Sequence, residues 1–464
     1  MKVYNVLHRK KEEFIPINSN EVKMYVCGMT INGLAHLGHA RQAITFDMIY
    51  KYLKLKGYNV KYASNYTDVD DKLVLQAKQM GISPVELADE RIEKINTTWK
   101  NLGVSEPDYR PRVTKTIPQI IEFIENLIKK GFAYETGDGD VYFDVKKFHG
   151  YGMLSNRKID ELIDSVRIES ADNKRDTLDF ALWKHSAGDD FGFSSPWGIG
   201  RPGWHIECST MIKTYLGDQI DIHGGGKDLI FPHHENEIAQ SYCANDCDLA
   251  KYWLHNGLIT INGQKMSKSL GNFMLVDDVL KTYDSEVIRL AILTNHYTST
   301  QDLGDDALAL AEKNLYYFYN MLQDISQFEI SENMDLVNKF FENMDDDFNS
   351  SKVIADLFVT CSNFSKAKNS QNASIIASCL PFIQNVLGIF KQSPSQFIQN
   401  IKQKYLKILG INSIEIEQAI SCRQNAKLQK NYVLADDIRN KLLDKGIILK
   451  DTKTQTTWDI KQLY

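Results

Sequence analysis

The fold of this chain is decided by residues 23–63, which read KMYVCGMTINGLAHLGHARQAITFDMIYKYLKLKGYNVKYA. Residues 23–27 have the pattern of a short strand, and residues 38–56 repeat apolar side chains at roughly helical spacing before Gly57. Residues 60–63 predict the next strand. Two strands joined by one helix form a β-α-β unit, whose strands are parallel. We therefore predict an α/β fold built on a doubly wound, Rossmann-type parallel sheet.

The strand–helix alternation is interrupted once and later replaced by helices. From about residue 115 a helix, a Gly137-Asp138-Gly139 turn and a short strand break the alternation, which resumes after Arg201. A polar helical pattern follows residue 305, and two helices and a hairpin end the chain. The expected domains are the first half of the sheet domain, an insertion, the second half, a linking domain, a helical bundle and a small mixed α/β domain: 1–114, 115–200, 201–255, 256–304, 305–400 and 401–464.

Composition indicates a globular protein of a reducing compartment. The chain has 464 residues, of which 43% are hydrophobic and 25% charged. It contains no apolar run of membrane-spanning length, and its first residues become charged where a signal peptide would be apolar. Seven cysteines are too few and too scattered for a disulfide framework. We therefore expect a cytoplasmic protein without a membrane partner.

The charge is unevenly distributed along the chain. The net charge is −6, yet residues 401–464 carry 12 Lys and Arg against 7 Asp and Glu. The acidic body with a basic end is compatible with a phosphate-bearing partner. A solvated face is the simpler interpretation of an excess of this size.

Two short motifs indicate a nucleotide site. His36-Leu37-Gly38-His39 lies where a strand has ended and a helix begins, where unpaired backbone N–H groups attract phosphate. Lys265-Met266-Ser267-Lys268-Ser269 is flanked by Gly263 and Gly271, and mobile lysines suit a pyrophosphate leaving group. An ordinary helix start and a solvated loop are the alternatives for each motif alone. Together the two motifs resemble the motif pair of class I aminoacyl-tRNA synthetases.

Further residues are candidates for a metal site. His233 and Glu237 are four residues apart, and therefore share one face of a predicted helix that Pro232 opens. Cys27 and Cys208 are candidates for the remaining ligands, and two thiolates, an imidazole and a carboxylate suit zinc. A small buried hydrophobe is the alternative for each cysteine. Cys243 and Cys247 we interpret as a core and a surface thiol of one helix.

Longer stretches resemble the cysteinyl-tRNA synthetase family. The resemblance covers most of residues 20–275, with a weaker similarity around residues 435–439. It rests on the following stretches: Tyr25-Val26-Cys27-Gly28, Ser64-Asn65-Tyr66-Thr67-Asp68-Val69-Asp70-Asp71-Lys72, Ser195-Pro196-Trp197-Gly198, Arg201-Pro202-Gly203-Trp204-His205-Ile206-Glu207-Cys208, Asp221-Ile222-His223-Gly224-Gly225-Gly226 and Phe231-Pro232-His233-His234-Glu235-Asn236-Glu237. The chain departs from the family pattern at Met29 and at Asn32-Gly33.

The resemblance implies a set of site residues. One zinc ion per chain would be held by Cys27, Cys208, His233 and Glu237. The cysteine pocket would be lined by Gly28, Thr30, Thr67, Trp204, His223 and Asp228. ATP, bound with Mg²⁺, would contact His36, Gly38, His39 and Lys268, and the catalytic side chains would be His36, His39, Lys265 and Lys268.

The implied activity has two steps. L-cysteine reacts with ATP to give cysteinyl-adenylate, and the cysteinyl group then moves to the 3′ end of tRNA(Cys). Residues 305–400 would bind the tRNA, residues 401–464 its anticodon, and we expect a monomer. Three alternatives stay open: a cysteine ligase that acts on a small-molecule amine, a small-molecule nucleotidyltransferase, and a catalytically silent tRNA-binding protein.

Overall fold

The computed structural model of the chain describes residues 1–157, 174–186, 191–266, 271–452 and 455–463. Its strands are β1 (Lys2–Asn5), β2 (Lys10–Glu13), β3 (Glu21–Thr30), β4 (Asn59–Thr67), β5 (Ala133–Glu135), β6 (Val141–Phe143), β7 (Phe180–His185), β8 (Phe193–Ser195), β9 (Gly198–Pro202), β10 (Ile220–Gly226), β11 (Ala250–Asn256), β12 (Ile259–Ile261), β13 (Gln264–Lys265), β14 (Gln301–Asp302), β15 (Ile447–Asp451) and β16 (Thr456–Ile460).

Its α-helices are α1 (Leu37–Leu55), α2 (Asp71–Met80), α3 (Pro84–Asn101), α4 (Ile117–Lys129), α5 (Trp204–Leu216), α6 (Glu235–Asn245), α7 (Val276–Leu280), α8 (Ser285–Leu293), α9 (Asp305–Ile325), α10 (Asp335–Asp345), α11 (Ser350–Lys366), α12 (Ser370–Val386), α13 (Pro394–Leu409), α14 (Ser413–Leu428) and α15 (Tyr432–Asp444). None of these helices is both long and apolar enough to cross a membrane.

The chain divides into two compact units. The first contains Met1–Gly304, Asn338–Ala355 and Asn385–Leu387, and the second contains Asp305–Val337, Asp356–Gln384 and Gly388–Tyr464. The sheet domain and its insertion therefore belong to the first unit, together with two short segments from much later in the chain.

A parallel four-stranded sheet in the order β11-β10-β3-β4 is the centre of the first unit. Tyr25 of β3 lies between His223 of β10 and Ala63 of β4 in the register of the strands. Helix α1 connects β3 to β4, and Gly57, at a φ of 93°, turns the chain back toward the sheet where α1 has ended. The predicted doubly wound α/β fold is confirmed.

The insertion forms a separate antiparallel sheet in the order β5-β6-β7-β9-β8. Apolar side chains of α4, β6 and β7 share one core with α5 and α6; its fully buried members include Ile120, Val141, Leu182 and Met211. Burial of these side chains attaches the insertion to the helices that carry Cys208 and Glu237.

A small sheet in the order β13-β12-β14 follows the parallel sheet. Its β12–β13 hairpin turns at Asn262-Gly263, where both residues have positive φ, as a two-residue hairpin loop of the I′ type requires. The hairpin thereby directs Lys265 and Met266 away from the turn along β13.

Six helices (α9 and α11–α15) and one hairpin make up most of the described second unit. Helix α9 packs against α13, where the buried carboxylate of Glu312 accepts hydrogen bonds from Lys404 and from the Tyr405 hydroxyl. The hydroxyl of Tyr316 on α9 donates to Asp459 of β16. This helical region with a small strand-containing end agrees with the predicted bundle and mixed α/β end.

The acidic run Asp345-Asp346-Asp347 fastens late residues to the first unit. Asp345 accepts a hydrogen bond of 2.6 Å from the Tyr52 hydroxyl of α1. The buried Asp347 accepts bonds from the Tyr4 backbone N–H at 2.8 Å and from the Tyr297 hydroxyl at 2.9 Å. The carboxylate of Asp346 forms a half-exposed ion pair with Lys11. Neighbouring residues of one sequence run therefore have unequal structural roles.

We predict that Asp347→Ala lowers the free energy of unfolding by about 2–4 kcal/mol, because it leaves two buried donors without an acceptor. Asp346→Ala, the matched control, removes a surface ion pair and should cost less than about 1 kcal/mol. Urea unfolding followed by circular dichroism measures both. Equal losses for the two variants would contradict the assigned roles.

Candidate active site and metal centre

Four buried side chains from distant parts of the sequence converge at the end of β3. Cys27 and Cys208 place their Sγ atoms 3.8 Å apart. Oε1 of Glu237 lies 3.4 Å from Cys27 Sγ and 3.1 Å from Nε2 of His233. The ligand atoms of these four residues lie within 4.8 Å of one another, so that together they could hold a metal ion. The structure thus brings together the four ligands predicted from the sequence.

The local backbone explains how each ligand reaches the cluster. The pairing of β3 with β4 shifts register between Val26 and Met29, next to Cys27. Gly28 lies in that irregular segment, where a Cβ atom would approach the carbonyl oxygen of Asn65 to 1.7 Å. Only glycine therefore allows the close approach of β3 to β4 beside Cys27.

The helical backbone starts at Pro232, as predicted, and continues as α6 from Glu235. Phe231 before it has an extended backbone (φ −139°, ψ 133°), as the residue before a proline prefers. His233 and Glu237 still lie one turn apart and meet. Cys243 is buried in α6, whereas Cys247 lies beyond the helix, because Asp246 in the left-handed region ends it. The prediction that both thiols belong to one helix was therefore wrong for Cys247.

Four further histidines lie around the cluster: His205, His223, His234 and His255. His223 Nε2 lies 2.9 Å from Oε2 of Glu237, and its ring stacks on Trp253. His205 Nδ1 lies 3.0 Å from Nδ1 of His233. His234 contacts His255 at 2.8 Å through Nδ1. The set Cys27, His223, His234 and Glu237 is also compact enough for a metal, so two overlapping donor sets share Cys27 and Glu237.

Burial and charge act in opposite directions on these groups. Burial by itself would raise the pKa of Glu237, but the attraction of His223 and His233 and their hydrogen bonds hold it well below its ordinary value. Burial raises the pKa of Cys27 well above that of a free thiol, and the adjacent Cys208 and Glu237 raise it further. A hydrogen bond from Cys27 lowers the pKa of Cys208 to about 6. The cluster is thus a buried anionic site that a metal cation would neutralise.

A cavity of about 380 Å³ lies beside the donor cluster. Of the predicted pocket and nucleotide residues, its wall includes Gly28, Thr30, His36, His39, Trp204 and Asp228. The remaining two pocket residues lie deeper: the Thr67 hydroxyl donates to the buried Glu207 at 3.1 Å, and His223 contacts Glu237. The cavity therefore extends from Gly28 and Trp204, which adjoin the donor cluster, to His36 and His39.

The two histidines of the H-x-G-H motif cap the N-terminus of α1. The Gly38 N–H donates to His36 Nδ1 at 3.0 Å, and the His36 N–H points at His39 Nδ1 at 3.4 Å. Because each Nδ1 accepts a backbone hydrogen, each neutral ring carries its proton on Nε2. Burial, together with the nearby His36, lowers the pKa of His39 to about 3. His39 is therefore a neutral hydrogen-bond donor at physiological pH.

The segment after the lysine-rich motif contacts this cap. Leu37 N–H donates to the Met274 carbonyl at 3.1 Å, and the Phe273 ring packs edge-on against His36 with centroids 4.5 Å apart. The Met266 methyl group lies 3.4 Å from where a Cβ of Gly38 would be. Lys265 is the last residue of β13, whereas Ser267, Lys268 and Ser269 lie outside the described residues. The two nucleotide motifs are thus spatial neighbours.

Sequence reasoning missed several residues of the site. Gln42 donates through Nε2 to the Cys27 carbonyl at 2.6 Å and lines the cavity. Asn65 accepts the Gly28 N–H at 2.8 Å. Glu235 accepts the backbone N–H groups of Gly152, Leu154 and Ser155. Asn65 and Glu235 lie inside the recognised motif stretches, so their place in those stretches was the available signal; nothing in the sequence singles out Gln42.

Comparison with known proteins agrees with this arrangement. The family described as "tRNA synthetases class I (C) catalytic domain" matches residues 13–313, and the "DALR domain" matches residues 339–391. The methionyl-tRNA synthetase of Mycobacterium tuberculosis, in complex with methionyl-adenylate, shares the fold at a TM-score of 0.60 with 15% identity, over 85% of this chain and 95% of that one. The fold and the site thus define a class I aminoacyl-tRNA synthetase.

The relatives narrow the class further. The cysteine–tRNA ligase of Geobacter sulfurreducens is 44% identical over 99% of this chain and 100% of its own length. That of Glaesserella parasuis is also 44% identical, over 99% of each chain. The chain belongs to the cysteine–tRNA ligase family.

We predict that Gly38→Ala impairs the nucleotide site without unfolding the protein. A Cβ there would lie 2.8 Å from the His36 ring, which is a side chain that can move aside. Displacing one donor of this kind should lower kcat/KM for ATP by about tenfold to a hundredfold. Cysteine-dependent exchange of pyrophosphate into ATP measures it. Gly137→Ala, where a Cβ meets no atom within 4 Å, should leave both rate and melting temperature unchanged; an equal loss there would contradict the prediction.

Proposed function

We propose that the chain activates L-cysteine with ATP and transfers it to tRNA(Cys), and that zinc at the donor cluster selects the cysteine thiol. The observation that carries the proposal is the buried set of two thiols, one imidazole and one carboxylate beside the cavity that the capped α1 helix reaches. An amino acid in that cavity can direct its side chain toward the donors and its carboxylate toward the nucleotide site.

The distances among the donors suit a tetrahedral zinc ion. With Zn–S bonds of about 2.3 Å, two thiolates of a tetrahedron lie about 3.8 Å apart. The two Sγ atoms are 3.8 Å apart. Bonds of about 2.0–2.1 Å to nitrogen and oxygen place those ligands about 3.4 Å apart, close to the 3.1 Å between His233 and Glu237. We infer that Cys27, Cys208, His233 and Glu237 would hold the ion.

The set with Cys208 is favoured over the set with His223 and His234 for two reasons. Two thiolates are softer donors than one, which suits zinc. His205 also offers His233 an acceptor on its outer nitrogen, which fixes the ring with Nε2 toward the metal, as ligating histidines in proteins usually require. His223 would then orient Glu237 by donating to Oε2, the carboxylate oxygen that does not contact Cys27 and His233.

The ion would act as a Lewis acid that prefers the cysteine thiolate to a serine hydroxyl. The chain's own residues would bind and orient the rest of the amino acid. Trp204, which is 45% exposed at the cavity, offers a ring that covers the substrate, and Asp228 offers a carboxylate for its ammonium group. Gly28 and Thr30 line the wall between them, and Thr67 orients its hydroxyl through Glu207.

We assign the ATP site to the N-terminus of α1 and the loop that follows β13. The rings of His36 and His39 present N–H donors to the phosphates, and Gly38, which has no side chain, lets the nucleotide approach the backbone. Lys265 and Lys268 would neutralise the charge that grows on pyrophosphate, together with Mg²⁺. No side chain serves as a nucleophile, because the cysteine carboxylate attacks ATP itself. Catalysis therefore consists of positioning and charge stabilisation.

The tRNA would be bound by the later residues. We retain the division into a bundle over 305–400 and an anticodon-binding domain over 401–464, and we expect a cytoplasmic monomer. The full-length agreement with cysteine–tRNA ligases supports tRNA, rather than a small amine, as the acceptor.

The purified protein should catalyse cysteine-dependent exchange of pyrophosphate into ATP and attach labelled cysteine to total tRNA. Exchange without tRNA charging would indicate the small-molecule ligase. Exchange without dependence on cysteine would indicate a nucleotidyltransferase, and binding of tRNA without either reaction a silent binding protein. Any of these three outcomes overturns the proposal.

We predict about one zinc ion per purified chain. Cys208→Ser should lose the metal, whereas Cys243→Ser should retain it, since Cys243 is an equally buried thiol away from the cluster. Mass spectrometry of the metal content measures both. X-ray absorption at the zinc edge should show one more sulfur neighbour with cysteine than with serine. An unchanged sulfur count at saturating cysteine refutes recognition of the thiol by the metal.

A further inference from the structure

Arg41 is a buried arginine of α1 between the two nucleotide motifs. Its side chain is 1% exposed. Nη1 donates to the carbonyl of Leu258 at 2.8 Å, and Nη2 donates to the carbonyls of Tyr297, at 3.2 Å, and Ser299. One guanidinium group thus holds three backbone carbonyls from two separate segments.

Both segments lead into the sheet that carries Lys265. Leu258 immediately precedes β12, whose hairpin partner β13 ends at Lys265, and Ser299 lies two residues before β14. The Leu258 carbonyl also accepts the Gln301 N–H at 3.0 Å, which closes the base of the sheet. A Cβ on Gly257 would lie 1.9 Å from the Ser299 oxygen, so this close approach also requires a glycine. Arg41 therefore fixes the base of the hairpin to the helix that carries His36 and His39.

A buried arginine that only joins segments of backbone can have its charge compensated by a carboxylate. Arg289 is equally buried and also donates to carbonyls, but its charge is compensated by Asp47 at 2.7 Å. Within the described parts of the chain, no carboxylate lies within ion-pair distance of Arg41. Burial lowers the pKa of Arg41 only to about 10, so the group remains charged at neutral pH. Burying such a charge costs stability, which indicates a role beyond packing.

The shape of the guanidinium explains the choice of residue. Its planar fork of N–H donors can reach three carbonyls at once, whereas the single ammonium of lysine sits at the end of a flexible chain. The three contacts set the separation between the N-terminal part of α1 and β12. Met266, which follows β13, lies against Gly38.

We propose that Arg41 is a positioning residue for the activation step, which holds the strand leading to Lys265 at a fixed distance from His36 and His39. This inference rests on the proposed function. Misplacement of reacting groups by about 1 Å can cost up to about a hundredfold in rate. The contacts lie away from the metal donors and the amino-acid wall, so binding of cysteine should not depend on them.

Pyrophosphate exchange by Arg41→Lys, Gly257→Ala and the double variant tests the proposal. Arg41→Lys should lower kcat by about tenfold or more, with KM for cysteine within about twofold of wild type. Gly257→Ala should lower kcat in the same way with Arg41 intact, because its Cβ displaces the Ser299 carbonyl. The double variant should lose no more kcat than the worse single variant, since both changes disrupt the same contact between Arg41 and the Ser299 carbonyl.

Arg289→Lys is the matched control: it should lower the melting temperature yet leave kcat within about twofold, since its contacts do not reach the β12–β13 hairpin. The proposal is overturned if Arg41→Lys retains wild-type kcat, or if Arg289→Lys loses as much kcat for the same loss of melting temperature. The wild-type protein in the same assay distinguishes failure of the proposed function from failure of this inference. No exchange by the wild-type protein refutes the proposed function. Normal exchange by the wild-type protein and by Arg41→Lys refutes this inference alone.

Discussion

The buried carboxylate of Glu237 is the constraint on which the first unit depends. An ionised carboxylate without solvent is costly unless cations or donors surround it. Here His223 supports one oxygen, while His233 and Cys27 meet the other. Those partners come from β10, from the segment before α6 and from β3, so the charge can be accommodated only when these elements are in register. The requirement to satisfy one ion thus links the sheet to the helices on its face.

The opposite end of the site solves a different electrostatic problem. The first N–H groups of a helix have no partners within the helix. In α1 the side chains of His36 and His39 accept two of them, and this leaves the imidazole protons on the Nε2 atoms. The burial of His39 keeps it neutral, so it offers a donor without a charge of its own. The cavity is therefore anionic at the cysteine donors and rich in hydrogen-bond donors at the helix start, a polarity that suits an amino acid joined to a nucleotide.

Buried polar side chains join distant segments of the first unit. Asp347 accepts hydrogen bonds from Tyr4, 343 residues earlier, and from Tyr297, 50 residues earlier. Arg41 likewise unites α1 with segments beyond residue 256. In both cases one buried polar side chain bonds at once to groups from two separate segments of the chain. Both side chains are polar because the groups that they bind, backbone amides and carbonyls and the Tyr297 hydroxyl, need hydrogen-bond partners that apolar packing cannot provide.

The sequence by itself determined the elements, the fold class and the chemistry of the donors. The β-α-β pattern of residues 23–63 follows from local periodicity, and the four predicted metal ligands follow from motif stretches long enough to be specific. Only the tertiary structure decided that Cys247 lies outside α6, and that Gln42, Arg41 and Asp347 form hydrogen bonds with backbone groups elsewhere in the chain. These outcomes depend on which strands pair and in what register. The local sequence pattern around a residue contains no information about a partner two hundred positions away. The distance in space between two such residues is set by the packing of the whole sheet and not by the chain between them.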